Sequence, residues 1–387
     1  MSVTAAPGFV AAGLAAGIKV SGAPDLALVA TEDGLPVAAA GVFTRNKMTA
    51  APVITSRAHL DATAGRAVAV ILNSGNANAA TGQQGIDDAE AMCAAVAAEL
   101  GVDPTQVLVC STGLIGIPMP IEVITAAIPT VVTQRSVEGG SQAATAIMTT
   151  DTVAKQVVVS GDGFVVGGMA KGAAMLSPNM ATMLAVLTTD AAATPEQLKA
   201  ALIHGVADSF NALDVDGCTS TNDTVLLLAS GRAGAVDPAA LDAAVAQACA
   251  SLASQMCADA EGATKVVRMT VIGAASEEEA RIGARQVSRS NLVKCSWYGC
   301  DPYWGRIASD LGSCGIEFDP ARFSVSYGGI RVCAGAVDID HDVDAVAAHM
   351  AGRNLEIVAD LGLGDGSATI LTNDLSHAYI DENMGTS

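Results

Sequence analysis

The run Lys171-Gly172-Ala173-Ala174-Met175-Leu176-Ser177-Pro178-Asn179-Met180-Ala181-Thr182-Met183-Leu184 sets a lysine, a Pro-Asn turn and a threonine directly before an apolar stretch. Met-Leu-Ala-Val-Leu-Thr-Thr reads as a buried strand, so Thr182 stands at the mouth of a strand with loop behind it. Lys171 reads as part of a loop of small residues. As an ordinary strand residue Thr182 needs no further account, because β-branched side chains suit strands. The alternative has chemical content. Cleavage of the Ala181–Thr182 bond would leave a chain whose first residue carries both Oγ and a free α-amine. The reference pKa of such an amine is about 7.7–8.0, so near neutral pH part of it is unprotonated. It can then take the hydroxyl proton while Oγ attacks a carbonyl. An internal threonine has no base of its own, and the small Ala181 leaves room for Oγ to fold back on the preceding carbonyl.

Other stretches carry polar groups at telling positions. The expected strand Gln106–Cys110 leads into Ser111-Thr112-Gly113. A glycine just after a strand end lets the backbone turn its N–H groups outward, as an oxyanion hole requires, although a plain turn has the same composition. Met148-Thr149-Thr150-Asp151-Thr152 reads as a polar turn after an apolar helix. Glu261 ends a long Ala-rich helix within Glu261-Gly262-Ala263-Thr264-Lys265. Several familiar patterns are excluded. The segment from Asp214 begins like a calcium loop, but Val225 stands at the twelfth position where a glutamate is needed. Gly167 to Lys171 lacks the spacing of a phosphate loop. Gly362-Leu363-Gly364-Asp365-Gly366 runs into a strand where a dinucleotide fingerprint needs a helix. The nine cysteines form no Cys-x-x-Cys pair and no histidine lies close to Cys295 or Cys300, which leaves a zinc site without support.

Taken together, these blocks resemble the ornithine acetyltransferase family, the glutamate N-acetyltransferases of the arginine pathway. The resemblance rests on Lys171 to Leu184, on Ser111-Thr112-Gly113, on Asp214-Val215-Asp216-Gly217-Cys218-Thr219-Ser220-Thr221-Asn222-Asp223, on Glu261 to Lys265 and on Asp301-Pro302-Tyr303-Trp304-Gly305-Arg306. It implies self-cleavage between Ala181 and Thr182, with Thr182 as acetyl-carrying nucleophile and Thr112 and Gly113 as the oxyanion hole. It implies substrate contacts from Thr149, Lys171, Thr182, Glu261, Asn383 and Ser387. Lys171 would meet a carboxylate and Glu261 the side-chain ammonium of ornithine. The reaction implied is ping-pong transfer of acetyl from N2-acetyl-L-ornithine to L-glutamate, with no metal or cofactor. Whether acetyl-coenzyme A also serves as donor stays open. The products of cleavage would be an α chain, 1–181, and a β chain, 182–387, the latter including a smaller lobe at about 265–350. Two of each would form a heterotetramer. The implied fold is α+β, a layered α/β/β/α sandwich with a smaller C-terminal α/β lobe. Ala174 stands where a glycine is usual, and Cys218 where a serine is common. The tail lacks an aromatic residue and is one position short, so Thr386 competes with Ser387. An N-terminal-nucleophile amidase or aminopeptidase of related architecture, with water as acceptor, is the alternative, and a binding protein that never cleaves is a third.

The rest of the chain must supply the elements that hold these groups. With 387 residues, 51% of them hydrophobic, there is enough for two lobes with sizeable cores. A net charge of −20 argues against nucleic acid and anionic membranes, both of which select basic patches. The N-terminal segment has no positive charge before Lys19 and reads as structural rather than as a signal peptide, which together with unpaired thiols suggests a cytoplasmic protein. No apolar run reaches membrane-spanning length. Strands are expected at 25–30, 67–73, 106–110, 155–160, 164–166, 225–229, 266–272, 323–332, 355–361 and 367–372. Helices are expected at 87–100, 120–128, 141–148, 195 to about 211, 237–260, 277–289 and 342–350.

Overall fold

Side chains along a strand point alternately to its two faces, and here both faces of the first sheet are buried. The computed structural model describes residues 2–175 and 183–384. They fall into two compact units. The first takes the chain up to Met175, from Met183 to Asn211 and from Cys218 to Met256; the second takes Ala212–Gly217 and the chain from Cys257 onward. The first unit opens with β1 (Phe9–Leu14), β2 (Leu26–Thr31), β3 (Val37–Phe43), α1 (Ala51–Ala62), β4 (Arg66–Ala67), β5 (Ala69–Asn76) and α2 (Gly82–Leu100). It continues with β6 (Val107–Leu114), α3 (Ile121–Gln134), α4 (Gly140–Ala146), β7 (Lys155–Ser160), β8 (Val165–Lys171), β9 (Leu184–Ala192) and α5 (Pro195–Ala207). The short β10 (Leu213–Asp214) belongs to the second unit, after which β11 (Thr224–Ala235) and most of α6 (Pro238–Ala258) return to the first.

Two sheets result, ordered β1-β2-β5-β6 and β4-β3-β11-β9-β8-β7. Phe9, Ala11, Val29, Val70, Leu72 and Leu108 of the first pack against Met169, Leu184, Val186, Leu226 and Leu228 of the second. The residues between them in sequence, among them Val10, Leu28, Ile71 and Val109, face the other way onto Met92 and Val96 of α2 and Ile124 and Ile128 of α3. The far face of the second sheet, with Leu187 and Leu227 buried, is covered by α5 and α6. The layering is therefore α/β/β/α, and each fully buried leucine or valine contributes about 1.5–3 kcal/mol.

The second unit adds β12 (Val266–Ala274), α7 (Glu277–Arg289), α8 (Asn291–Tyr298), α9 (Trp304–Ser313), β13 (Ser324–Tyr327), β14 (Ile330–Ala334), β15 (Val337–Asp338), α10 (Val343–Ala351), β16 (Asn354–Asp360), β17 (Gly366–Asn373) and α11 (His377–Asn383). Its sheet runs β10-β17-β12-β16-β13-β14-β15 around a core that includes Trp297, Phe323, Tyr327 and Ile357. The fold is α+β. No helix among the described residues is long and apolar enough to cross a membrane.

Several expected boundaries move. The strand expected over 323–332 is a hairpin, because Gly328 and Gly329 adopt φ of 58° and 81° and turn the chain. Helix α3 runs past Pro129 to Gln134, since Val131 and Val132 are buried beyond it and outweigh the proline. Helix α5 stops at Ala207, short of 211, after a start fixed by Thr194 and Gln197 in a reciprocal capping box. Helix α8, which carries the fully buried Trp297, was not expected.

Candidate active site

Strand β8 pairs antiparallel with β9, and the register sets Lys171 opposite Leu184. Lys171 is thus the last residue of a strand and not a loop residue, because β7 partners β8 as far as Ala170 and β9 partners it through Lys171. Its side chain is buried, and Nζ donates to Thr112 Oγ1 at 3.2 Å. Strand β6 likewise continues beyond Cys110 through Thr112 and Gly113, because β5 pairs parallel with it there, Ser74 opposite Thr112 and Gly75 opposite Gly113. The expectation that Gly113 follows the strand end is corrected accordingly. The need for glycine is real, however. Gly113 has φ of 133°, and a Cβ there would lie 2.3 Å from the carbonyl carbon of Gly75.

Thr149 is held from the other side. Asp151 Oδ2 accepts from Thr149 N at 3.0 Å and from its Oγ1 at 3.4 Å, while Oδ1 accepts from Lys155 Nζ at 2.6 Å and Gly172 N at 2.7 Å. Burial pushes the Asp151 carboxyl up, but Lys171 and Lys155 more than offset that and bring it to about 2. Lys19 joins the same group: Nζ donates to the carbonyls of Pro24 and Met148, and burial lowers its pKa, with Lys171 adding to the effect against Asp25. A protein of net charge −20 thus gathers three lysines around one ionised aspartate, a setting suited to an anionic ligand.

The segment 219–223 organises the mouth of β9. Asp223 Oδ1 accepts from Met183 N at 2.9 Å, and Oδ2 is buried with no hydrogen-bond partner among the described residues. Burial raises the Asp223 carboxyl well above its ordinary value, against the Met183 N–H and the Lys171 charge. Asn222 Nδ2 donates to the carbonyls of Ala77 at 2.6 Å and Ser111 at 2.9 Å, tying the loop after β5 to β6 next to Thr112. Asp151, Lys155 and Lys19 were missed by sequence reasoning, and Asn222 and Asp223 lay in the 214–223 block that carries the family resemblance but were given no role of their own. A run of five polar residues just ahead of a buried strand was the available signal for the last two.

The second unit brings Glu261 and Asn383 together. Glu261 is buried, and its Oε2 accepts from Asn383 Nδ2 at 2.7 Å; the same amide donates to the Tyr379 carbonyl at 2.8 Å. An enclosed cavity beside them is lined by Asp216, Glu261, Arg289, Lys294, Asp374 and Tyr379 among others. Lys294 donates to the Val215 carbonyl at 2.7 Å, and burial lowers it to about 8 although Asp214 and Asp216 oppose the shift. Asp214 binds Arg289 at 2.7 Å and the Gly217 N–H, which accounts for this aspartate without a metal. Ala181, Thr182, Thr386 and Ser387 lie outside the described residues.

A family model described as the ArgJ family matches residues 10–385. The arginine biosynthesis bifunctional protein ArgJ of Mycobacterium leprae is 51% identical over 396 residues, covering 100% of this chain and 95% of that protein. The protein of the same name from Streptomyces coelicolor is 48% identical over 390 residues, covering 100% of both. Among solved structures, ornithine acetyltransferase complexed with ornithine from Mycobacterium tuberculosis is 47% identical, with 46% of this chain and 94% of that one covered at a TM-score of 0.41. A match over nearly the whole chain, with half the residues identical, leaves no other assignment: the chain belongs to the ArgJ family, acyltransferases of arginine biosynthesis.

Proposed function

We propose that this chain is a glutamate N-acetyltransferase that carries the acetyl group of N2-acetyl-L-ornithine to L-glutamate as an ester on Thr182. The observation that carries this reading is the meeting of Lys171 and Thr112 at the mouth of the β8–β9 pair, beside the Met183 amide that Asp223 holds. The proposed nucleophile is one peptide bond from that amide. After cleavage its α-amine takes the Oγ proton as Oγ attacks the acetyl carbonyl, and Thr112 and Gly113 hold the oxyanion. Ornithine leaves; the amine of glutamate then attacks the ester. Lys171 and Thr149 receive the substrate carboxylate, Glu261 with Asn383 receives the ornithine ammonium, and Ser387 or Thr386 is the remaining substrate contact. Ester formation keeps the acyl group activated between two amines, so no metal or cofactor is called for.

Cleavage between Ala181 and Thr182 would not separate the products 1–181 and 182–387, because β8 and β9, one from each, share a ladder from Val166–Thr189 to Lys171–Leu184. We place the enzyme in the cytoplasm, a reading supported by nine free thiols among the described residues. A heterotetramer of two chains of each kind is the expected assembly. The test is to supply acetyl-labelled N2-acetyl-L-ornithine with and without glutamate. Label should appear in N-acetylglutamate, and acetyl-coenzyme A tried as donor in the same assay decides the second activity that the relatives' name "bifunctional" suggests. Rapid release of labelled acetate to water, unaffected by glutamate, would refute transfer in favour of an amidase.

A further inference from the structure

Asp151 takes no part in the chemistry proposed above, yet its carboxylate touches more of the site than any other group described. Its two oxygens do different jobs. Oδ1 accepts from Lys155 Nζ at 2.6 Å and from Gly172 N at 2.7 Å; Oδ2 accepts from Thr149 N at 3.0 Å and Oγ1 at 3.4 Å. Gly172 directly follows Lys171. Because the peptide group between them is planar, fixing the Gly172 N–H fixes the plane in which the Lys171 Cα sits, and hence the direction in which the lysine leaves β8. The other oxygen fixes the Thr149 turn. One carboxylate therefore sets the separation of the two residues proposed to receive the substrate carboxylate.

We propose that Asp151 is a positioning residue for substrate binding: without touching substrate, it clamps the Thr149 turn to the end of β8 so that Thr149 and Lys171 present one preformed carboxylate site. This rests on the function proposed above. Its electrostatics agree with the geometry. Burial raises the pKa of Asp223, the other buried carboxyl near Lys171, whereas Asp151, despite its own burial, is brought to about 2 by Lys171 and Lys155, so Asp151 supplies the negative charge that lets those two lysines stay together away from water. Lys155 is fully buried at the start of β7, and its role is to hold the clamp in place.

A clamp acts on binding of ground state and transition state alike, so its loss raises KM with little change in kcat. Asp151→Asn keeps the volume and one acceptor oxygen but lacks the charge and turns a donor toward one of its partners. For this variant KM for N2-acetyl-L-ornithine should rise at least tenfold while kcat stays within threefold. Asp151→Asn combined with Thr149→Ala should raise KM no more than twofold beyond the worse single variant, because both act through one contact. Lys155→Gln loosens the clamp without removing its carboxylate, so it should lower the melting temperature and raise KM by less than Asp151→Asn does. An unchanged KM in Asp151→Asn, or multiplication of the two single effects in the double variant, would each overturn the clamp. Failure of the underlying reading looks different: Lys171→Met would then bind and turn over substrate like the parent, whatever Asp151→Asn does.

Discussion

Replacing Gly113 by alanine perturbs the proposed oxyanion hole with almost no change in chemistry. The added Cβ would stand 2.3 Å from the Gly75 carbonyl carbon, 2.5 Å from Asn76 N and 2.6 Å from Gly75 O, where ordinary contact begins at 3.4 Å. All three atoms are backbone, so no rotamer relieves the overlap, and β5 and β6 must part by roughly 1 Å at this point. An alanine at φ of 133° adds of order 1–3 kcal/mol of backbone strain. Weakening the adjoining ladder bonds costs about 0.5–1.5 kcal/mol each. The sum is a destabilisation of about 2–5 kcal/mol, read by urea denaturation. The rate should suffer more than the fold. Misplacement of about 1 Å in a catalytic constellation costs on the order of 10²-fold, similar to the loss of one oxyanion donor. Acetylation of Thr182, followed by mass spectrometry in a single turnover, should slow by about 10²-fold or more. A Gly113→Ala protein with parental stability that acetylates at the parental rate would refute both the packing argument and the assignment of the hole.

Three further outcomes follow from the buried charges. Lys155→Met leaves Asp151 without its 2.6 Å partner, and breaking such a pair costs about 3–5 kcal/mol, which denaturant titration should recover. Asp151 has a depressed folded-state pKa of about 2, so it stabilises the fold above its unfolded value of about 3.9, and that contribution is lost as pH falls from about 4 toward 2. Stability of the parent should drop through that window, and the drop should be smaller in Asp151→Asn. Asp223 has the opposite sign. Its raised pKa means that its contribution is full below about 3.9 and is eroded as pH rises, so Asp223→Asn should gain stability relative to the parent as pH rises above about 4. A gap between the two that does not widen with pH would show that burial does not raise the Asp223 carboxyl.

Local pattern was legible and tertiary partnership was not. Helix α7 matches its expected limits at Glu277 and Arg289, because Ser276 caps it and three glutamates occupy its first turn. The β7–β8 hairpin was readable from Gly161-Asp162-Gly163 between two β-branched runs, and β2 from its unbroken apolar run. Where a strand ends is another matter, since that depends on neighbours distant in sequence. Thr112 and Lys171 belong to strands only because β5 and β9 lie alongside them. Asn222 reaches Ala77 and Ser111, over 100 residues away, so no window of sequence could assign its role. The departure of β10 into the second unit, two residues long, leaves no compositional trace at all. Thr112, Gly113, Thr149 and Lys171 were nameable from motif resemblance, whereas Asp151 and Asp223, which hold the chain around them, were not.

The central claim is that the chain severs itself before Thr182, and intact mass with N-terminal sequencing of the purified protein tests it most directly. The account predicts two chains, 1–181 and 182–387, the second beginning Thr-Met-Leu-Ala-Val, and a single uncut, inactive chain for Thr182→Ala. One full-length chain that nevertheless transfers acetyl to glutamate would contradict it.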